Sequence, residues 1–339
     1  MPTYKLVTDW DLSGVEPING GTFNLIYERL EFFNKRHYHE YVPCSGPEHP
    51  DFMIRLSKWI NNVEQTEETK KRLLFEFAPQ ILFFGKEDFV SLYQAAFRGP
   101  ITRWIIDELN LRIDDPDIDS KIATELYHHT WYCPITDSMS ISDFHHANQI
   151  GGVNLRPDFL SLKTFADKQK IVTFMQNHKD ATGVNKPLNR IVLLEDFVGS
   201  GVQSDTIISF AASLPGDILI LFIPLIICPK GAEIIRNKVN KFKNLSYEPI
   251  IELGEDLFIN NEIGLSGKIE KNIRDLVNDT YPAVVGNNAS RPRPYSPFGF
   301  NKTGATVVMY SNTPANTLPL IQHESNTWHA LFPRSARIK

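Results

Sequence analysis

The sequence predicts an α/β protein with a mainly parallel sheet, preceded by an all-helical N-terminal module. Three observations carry this. Residues 51–110 show four apolar stripes at helical spacing. An acidic stretch at 114–119, containing Pro116, breaks the pattern. Beyond it, short aliphatic runs alternate with helical periods, which is the order of βαβ units. The expected organisation is therefore a helical module over 1–115 and an α/β domain over 116–339.

Residues 1–50 mix aromatics with turn residues, and one helix is expected there, around 24–34. The first stripe is Phe52, Leu56, Trp59, Ile60 and Val63. The second comes after a charged stretch and holds Leu73, Leu74, Phe75 and Phe77. Phe89, Leu92, Tyr93, Ala96 and Phe97 make the third, and Ile101, Trp104, Ile105 and Leu109 the fourth. These positions read as core, and Trp59 and Trp104 need no ligand to explain them.

After the boundary, residues 130–133 form a short aromatic strand, succeeded by a polar loop at 134–143. A helical period covers 162–178, and 180–189 is rich in turn residues. Residues 191–194 are a continuous aliphatic run, which suits a strand buried on both faces. Helix is expected at 204–214, ended by Pro215 and Gly216. A second buried strand is expected at 218–227, then helix at 232–241, strand at 247–253 and helix at 262–278. A long loop at 281–303, rich in Pro, Gly, Asn and Ser, leads to a strand at 305–310 and a loop at 311–320.

Composition excludes several function classes. Apolar residues make up 42% and charged residues 22%, enough for a packed core. The net charge of −5 gives no global basic field to draw the chain to nucleic acid. The three cysteines, Cys44, Cys133 and Cys228, are scattered and form no CxxC pair, so a disulfide framework or zinc knuckle is not expected. A reducing, cytoplasmic location is expected. The N-terminus has early acids and no apolar core, unlike a signal peptide. The longest apolar run, 218–228, is too short to span a bilayer and contains Pro224.

The most informative segment is 190–205, RIVLLEDFVGSGVQSD. A buried strand delivers the acids and the glycine turn to the carboxyl edge of a parallel sheet, where such folds bind ligands. Gly199 and Gly201 permit positive φ and close backbone approach. The N–H groups of the turn and of the helix start then converge on one point, an anion site suited to phosphate. Glu195 and Asp196 cannot bind phosphate, but they accept hydrogen bonds from the vicinal hydroxyls of an attached ribose. A Walker loop is excluded because no GxxxxGK[ST] occurs. A dinucleotide fingerprint fits poorly, since Ser204 stands where the third glycine belongs. An ordinary strand–helix turn is the bland alternative.

The segment LLEDFVGSGVQ resembles the signature of type I phosphoribosyltransferases: apolar strand, two acids, two apolar residues and a short Thr/Gly turn. The turn here departs from the family in having few hydroxyls. A narrower resemblance covers roughly 50–335. TWYCPITDSM, LLEDFVGSG, GF-x-x-TGA and NTPANTLPL look like the phosphoribosyltransferase-like domain of bacterial conflict-system effectors, which accompany retron reverse transcriptases and other anti-phage cassettes. The resemblance implies a phosphoribosyltransferase-type sheet. It implies that Glu195 and Asp196 hold the ribose, and that Phe197, Val198, Gly199, Ser200, Gly201, Val202 and Gln203 form the 5-phosphate loop. It implies 5-phosphoribosyl pyrophosphate or a related nucleotide as ligand, with Mg²⁺ carried by the pyrophosphate and no direct protein metal site. Transfer or cleavage at ribose C1 is the implied chemistry. The implied partners are other proteins of a defence cassette, with a reverse transcriptase and non-coding nucleic acid among them, and no membrane.

Other residues keep two readings. Thr136, Asp137 and Ser138 match the family's pyrophosphate loop, or cap a helix start. Arg156 and Lys163 flank the place of a basic loop, or are solvated charges; Arg156 is the stronger candidate for gripping pyrophosphate. Asn312, Thr313, Asn316 and Thr317 form a hood over a ligand, or a rigid turn. His128, His129, His145 and His146 fit no familiar zinc spacing. Arg291 and Arg293 are a stiff basic arm or solvated. A silent nucleotide sensor and a protein-interaction subunit stand as alternatives to an enzyme.

Overall fold

The computed structural model describes residues 2–44, 50–64, 66–151, 158–179, 183–259, 268–286 and 296–335. Among these the strands are β1 Leu82–Phe84, β2 Thr130–Pro134, β3 Arg190–Val198, β4 Leu219–Ile227, β5 Leu245–Tyr247, β6 Ile251–Glu252 and β7 Val307–Met309. The chain divides into two compact units. One joins Met1–Lys86 to Glu255–Lys339, and the other is Glu87–Gly254. This division falls at 86/87 and 254/255, whereas the sequence boundary stands at 115/116.

The second unit holds the main sheet, in the order β2-β3-β4-β5 with every pair parallel. Helix Val202–Ala212 connects β3 to β4, and helix Pro229–Val239 connects β4 to β5. On one face Ile191, Leu193, Ile220 and Phe222 pack with Ile207, Ile208, Ala211 and Ile235 of those helices. The alternating Val192, Leu194, Leu221 and Ile223 are also fully buried. Burial of both faces explains why these strands read as unbroken aliphatic runs. The α/β class with its mainly parallel sheet is what the sequence predicted.

Local details differ. The strand expected at 247–253 is two pieces, β5 and β6, that pair with the same strand β4 in one register: Ile220 faces Leu245 and Ile226 faces Ile251. Pro224, which has no N–H to donate, sits at the interruption. The helical period at 162–178 is two helices, Phe159–Phe165 and Lys168–Gln176. Asp167 restarts the second by accepting hydrogen bonds from the Gln169 and Lys170 N–H groups. The third and fourth stripes lie on Lys86–Ala96 and Thr102–Glu108, joined by a π turn at Phe97–Ile101 that contains Pro100.

In the first unit, helices Thr3–Leu12, Phe23–Arg36, Phe52–Ile60 and Glu68–Phe77 share a core with the C-terminal segment, including Leu318, Ile321, Trp328 and Phe332. Helix Thr3–Leu12 has no counterpart among the expected elements; it buries Leu6, Val7 and Trp10. Among the described residues of 1–115 the regular elements are helices apart from β1, which pairs in parallel with β7 from far along the chain. Helix Lys268–Val285 runs five residues into the loop expected from 281, carrying Pro282 within it.

Burial pushes the thiols of Cys133 and Cys228 well above the ordinary range, and raises that of half-exposed Cys44. Cys133 lies in β2, and Cys228 comes directly after the end of β4. Thiolate is the reactive form. The expected result is that a mild alkylating reagent at neutral pH modifies Cys44 alone in the folded chain and all three cysteines in denaturant. Peptide mass mapping checks this, and early labelling of Cys133 would show that the carboxyl edge of the sheet opens.

Candidate functional site

β3 ends in the sequence that positions the site. Leu193 and Leu194 pair with Phe222 and Ile223 of β4, so the strand is held before its acids begin. Glu195 and Asp196 come next, each 5% exposed. Buried carboxylates need hydrogen-bond donors, because desolvation costs several kcal/mol for an unpaired charge. Those donors come from the loop after β2. Pro134 is in register with Leu194, and the Ile135 N–H donates to the Leu194 carbonyl at 2.8 Å. The next residue therefore arrives beside the acids.

Thr136 meets Glu195 twice. Its N–H donates to Oε2 at 3.1 Å and its Oγ1 to Oε1 at 2.8 Å. Ser138 Oγ donates to Asp196 Oδ1 at 3.2 Å, and the Phe197 N–H donates to the same oxygen at 2.8 Å. Thr136 Oγ1 and Ser138 Oγ are 2.6 Å apart. The Ile135 carbonyl accepts from the Leu160 N–H at 3.1 Å, which fixes the loop's entry. Ser140 then caps helix Ile141–Ala147 by accepting from the Asp143 N–H. The loop thus runs into a helix capped by Ser140 rather than by residues 136–138, and Thr136 and Ser138 bond the acid pair.

The glycine turn comes immediately after β3. Gly201 has φ +75° and is the N-cap of helix Val202–Ala212. The first N–H groups of a helix lack intrahelical acceptors and carry its positive end. Val202 and Gln203 stand exposed at this start, while Ser200 and Ser204 are buried. Asp205 adds a carboxylate to the first turn, and Lys238 Nζ takes it up at 3.0 Å. The turn therefore keeps an N-terminal donor set whose nearby negative charge is paired.

A residue the sequence reading missed shapes this turn. Gly231, in helix Pro229–Val239, lies against it: a Cβ built on Gly231 would sit 2.7 Å from the Gly199 carbonyl oxygen, and one on Gly201 would sit 3.1 Å from Gly231 Cα. The signal was present in the sequence, since glycine within a helical period costs about 1 kcal/mol relative to alanine and calls for a packing reason.

The remaining candidates are dispersed. Arg156 lies outside the described residues, as do Arg291 and Arg293. Lys163 is exposed on helix Phe159–Phe165. Asp137 is exposed at the tip of the loop. Asn312, Thr313 and Asn316 belong to the other compact unit and bond within it. Asn312 Nδ2 donates to the Ser335 carbonyl, Thr313 Oγ1 lies 2.8 Å from Tyr41 Oη, and Asn316 Nδ2 donates to Thr303 Oγ1 at 2.9 Å. The last bond joins the NTPANTLPL segment to the GF-x-x-TGA segment, and the Phe300 N–H reinforces it by donating to the Ala315 carbonyl. His145 is buried against Tyr132 and Phe144, whereas His129 is half-buried and His128 and His146 are exposed. Among the described residues, no three His, Cys, Asp or Glu are grouped to hold a metal, and no helix is long and apolar enough to cross a membrane.

No curated protein matches the chain. The family described as PRTase-CE matches residues 56–334, which takes in most of both compact units, the acid pair and the glycine turn. The match covers most of the chain, including the parallel sheet in which β3 carries Glu-Asp near its end beside a Gly-Ser-Gly helix start, and the chain belongs to this phosphoribosyltransferase-like family.

Proposed function

We propose that the site binds 5-phosphoribosyl pyrophosphate or a nucleotide sharing its ribose-phosphate part. One observation carries this reading: two buried, adjacent carboxylates stand shortly before a left-handed glycine that opens an 11-residue helix. The helix start attracts a phosphate. The carboxylates accept from a diol. A ribose 5-phosphate is the small molecule that satisfies both at this separation along one chain.

In the enzyme reading, residues 199–203 hold the 5-phosphate and residues 195–196 hold the ribose hydroxyls. The bond from C1 to the pyrophosphate oxygen breaks, its electron pair leaves with pyrophosphate, and a lone pair of the acceptor forms the new bond at C1. Positive charge on the ring rises as the bond breaks, and carboxylates holding the ribose hydroxyls would stabilise it. Positioning and electrostatics suffice, so no nucleophilic side chain is required. Mg²⁺ would supply charge neutralisation of the pyrophosphate. The ion would be held by the ligand and water, without a direct protein ligand.

The turn also favours a second reading, a nucleotide sensor without turnover. Its exposed positions are Val202 and Gln203, which bring no hydroxyl to a phosphate. The wider setting, an effector of bacterial anti-phage defence working with partner proteins, rests on the resemblance of the four motifs and belongs to the proposal.

Calorimetric titration of the full chain with 5-phosphoribosyl pyrophosphate and Mg²⁺ tests the reading. The expected result is saturable binding at micromolar strength. Pyrophosphate release on adding candidate acceptors then separates enzyme from sensor. Absence of binding would sink the ribose-phosphate assignment and leave the protein-interaction reading.

A further inference from the structure

The loop after β2 does more than approach the acids. Thr136 Oγ1 bonds Glu195, Ser138 Oγ bonds Asp196, and the two hydroxyls touch each other at 2.6 Å. That is the pattern a ribose diol would make: two neighbouring oxygens, one on each of two adjacent carboxylates. Resting on the ribose-phosphate reading above, we propose that Thr136 and Ser138 stand in for the ligand's vicinal diol, so that the site is self-filled and favours ligands able to replace both hydroxyls at once.

The hydrogen count shows why a ligand can win the exchange. Each hydroxyl has one hydrogen. The Thr136 and Ser138 hydroxyls thus have two hydrogens for three oxygen–oxygen contacts. If Thr136 donates to Glu195, the Ser138 hydrogen is divided between Thr136 at 2.6 Å and Asp196 at 3.2 Å. The long contact is the one to Asp196, so the loop hydroxyls serve that carboxylate poorly. A ribose diol directs one hydrogen to each acid, and hydrogen bonds to an ionised acceptor are the stronger kind.

The exchange is also feasible in the fold. Ile135 is pinned on both sides, by Leu194 through its N–H and by Leu160 through its carbonyl. Thr136 keeps its backbone N–H on Glu195 even if its side chain rotates away. Ser138 is exposed and can turn to water. Two side-chain rotations therefore withdraw both hydroxyls from the carboxylates while the loop entry stays fixed.

Specificity is a consequence. A ligand with a single hydroxyl displaces only one stand-in and leaves the other acid with its protein partner. The missing hydroxyl forfeits the stronger charge-assisted bond that the full diol gains over the stand-in. The expected ligand class is therefore ribo, with 2-deoxyribose phosphates binding at least about tenfold more weakly.

The test is calorimetric titration of the full chain with ribose 5-phosphate and with 2-deoxyribose 5-phosphate. The proteins are the wild type, Ser138→Ala, the double variant Thr136→Val with Ser138→Ala, and Asp196→Asn. Removing the stand-ins removes a competitor, so the double variant is expected to bind ribose 5-phosphate about tenfold more tightly than the wild type, with Ser138→Ala between them. Binding by the variants where the wild type binds too weakly to detect supports the proposal equally. If the wild type binds and the variants bind the same or more weakly, the two hydroxyls are ligand contacts or bystanders and the self-filling proposal is overturned, while the ribose-phosphate reading survives. If no protein binds, both fall. Thermal melts identify a double variant that has failed to fold, in which case exposed Ser138→Ala carries the test with the same sign.

Discussion

Asn in place of Asp196 is expected to weaken binding of 5-phosphoribosyl pyrophosphate at least about a hundredfold, equivalent to ~2.7 kcal/mol. The substitution keeps the shape and leaves one oxygen that accepts from the Phe197 N–H, as Asp196 Oδ1 does at 2.8 Å. It removes the negative charge and turns the second acceptor into a donor. A ribose hydroxyl then loses a charge-assisted bond, and such bonds contribute about 1.5–3 kcal/mol each. The charge that would stabilise a cationic ring is also halved. Calorimetry and unfolding melts measured together check the prediction. Unchanged stability with lost binding supports a ligand role, whereas unchanged binding would remove Asp196 from the site.

Gly231→Ala is the second large effect. Alanine is favoured over glycine within a helix by about 1 kcal/mol, so an ordinary helix glycine gives a more stable protein when replaced. Gly231 is expected to behave in the opposite sense. Its new methyl would lie 2.7 Å from the Gly199 carbonyl oxygen and 3.1 Å from Val198 Cγ1, both in or next to the end of β3. Overpacking of this kind costs about 1–3 kcal/mol. The strand and helix must separate, and the turn carrying Gly199 and Gly201 moves with them. The expected outcome is a lower midpoint in urea unfolding together with weaker phosphate binding. A stabilised variant with normal binding would show that the contact between the helix and the turn is not structural.

These experiments bear on different layers of the site. Asp196 bears on the ligand contact, Gly231 on the scaffold of the turn, and the loop hydroxyls on competition for the carboxylates. The chain's family membership makes the fold and the ribose-phosphate class coherent with one another.

Much was legible in the sequence because it was local or periodic. The run Ile191–Leu194 suited a strand buried on both faces, since such a strand is aliphatic without alternation. Glu195, Asp196 and the Gly-Ser-Gly turn were legible because strand, acid pair and helix start are contiguous, so chain order alone brings them together. Three other features were not. The parallel pairing of β1 with β7 joins segments more than 200 residues apart; β7 falls in the strand expected at 305–310, but three-residue β1 has no pattern of its own. The contact of Gly231 with the turn depends on how closely two helices and a strand approach, which no spacing encodes. The Thr136–Glu195 and Ser138–Asp196 bonds depend on the alignment of Pro134 with Leu194 in the sheet. By itself, then, the sequence determined the α/β class, the buried strands and the acid-and-glycine segment, because these arise from nearest-neighbour geometry and side-chain burial. Only the tertiary structure decided which loop faces the acids and which helix braces the turn, because strand register and close packing are set by contacts between residues distant along the chain.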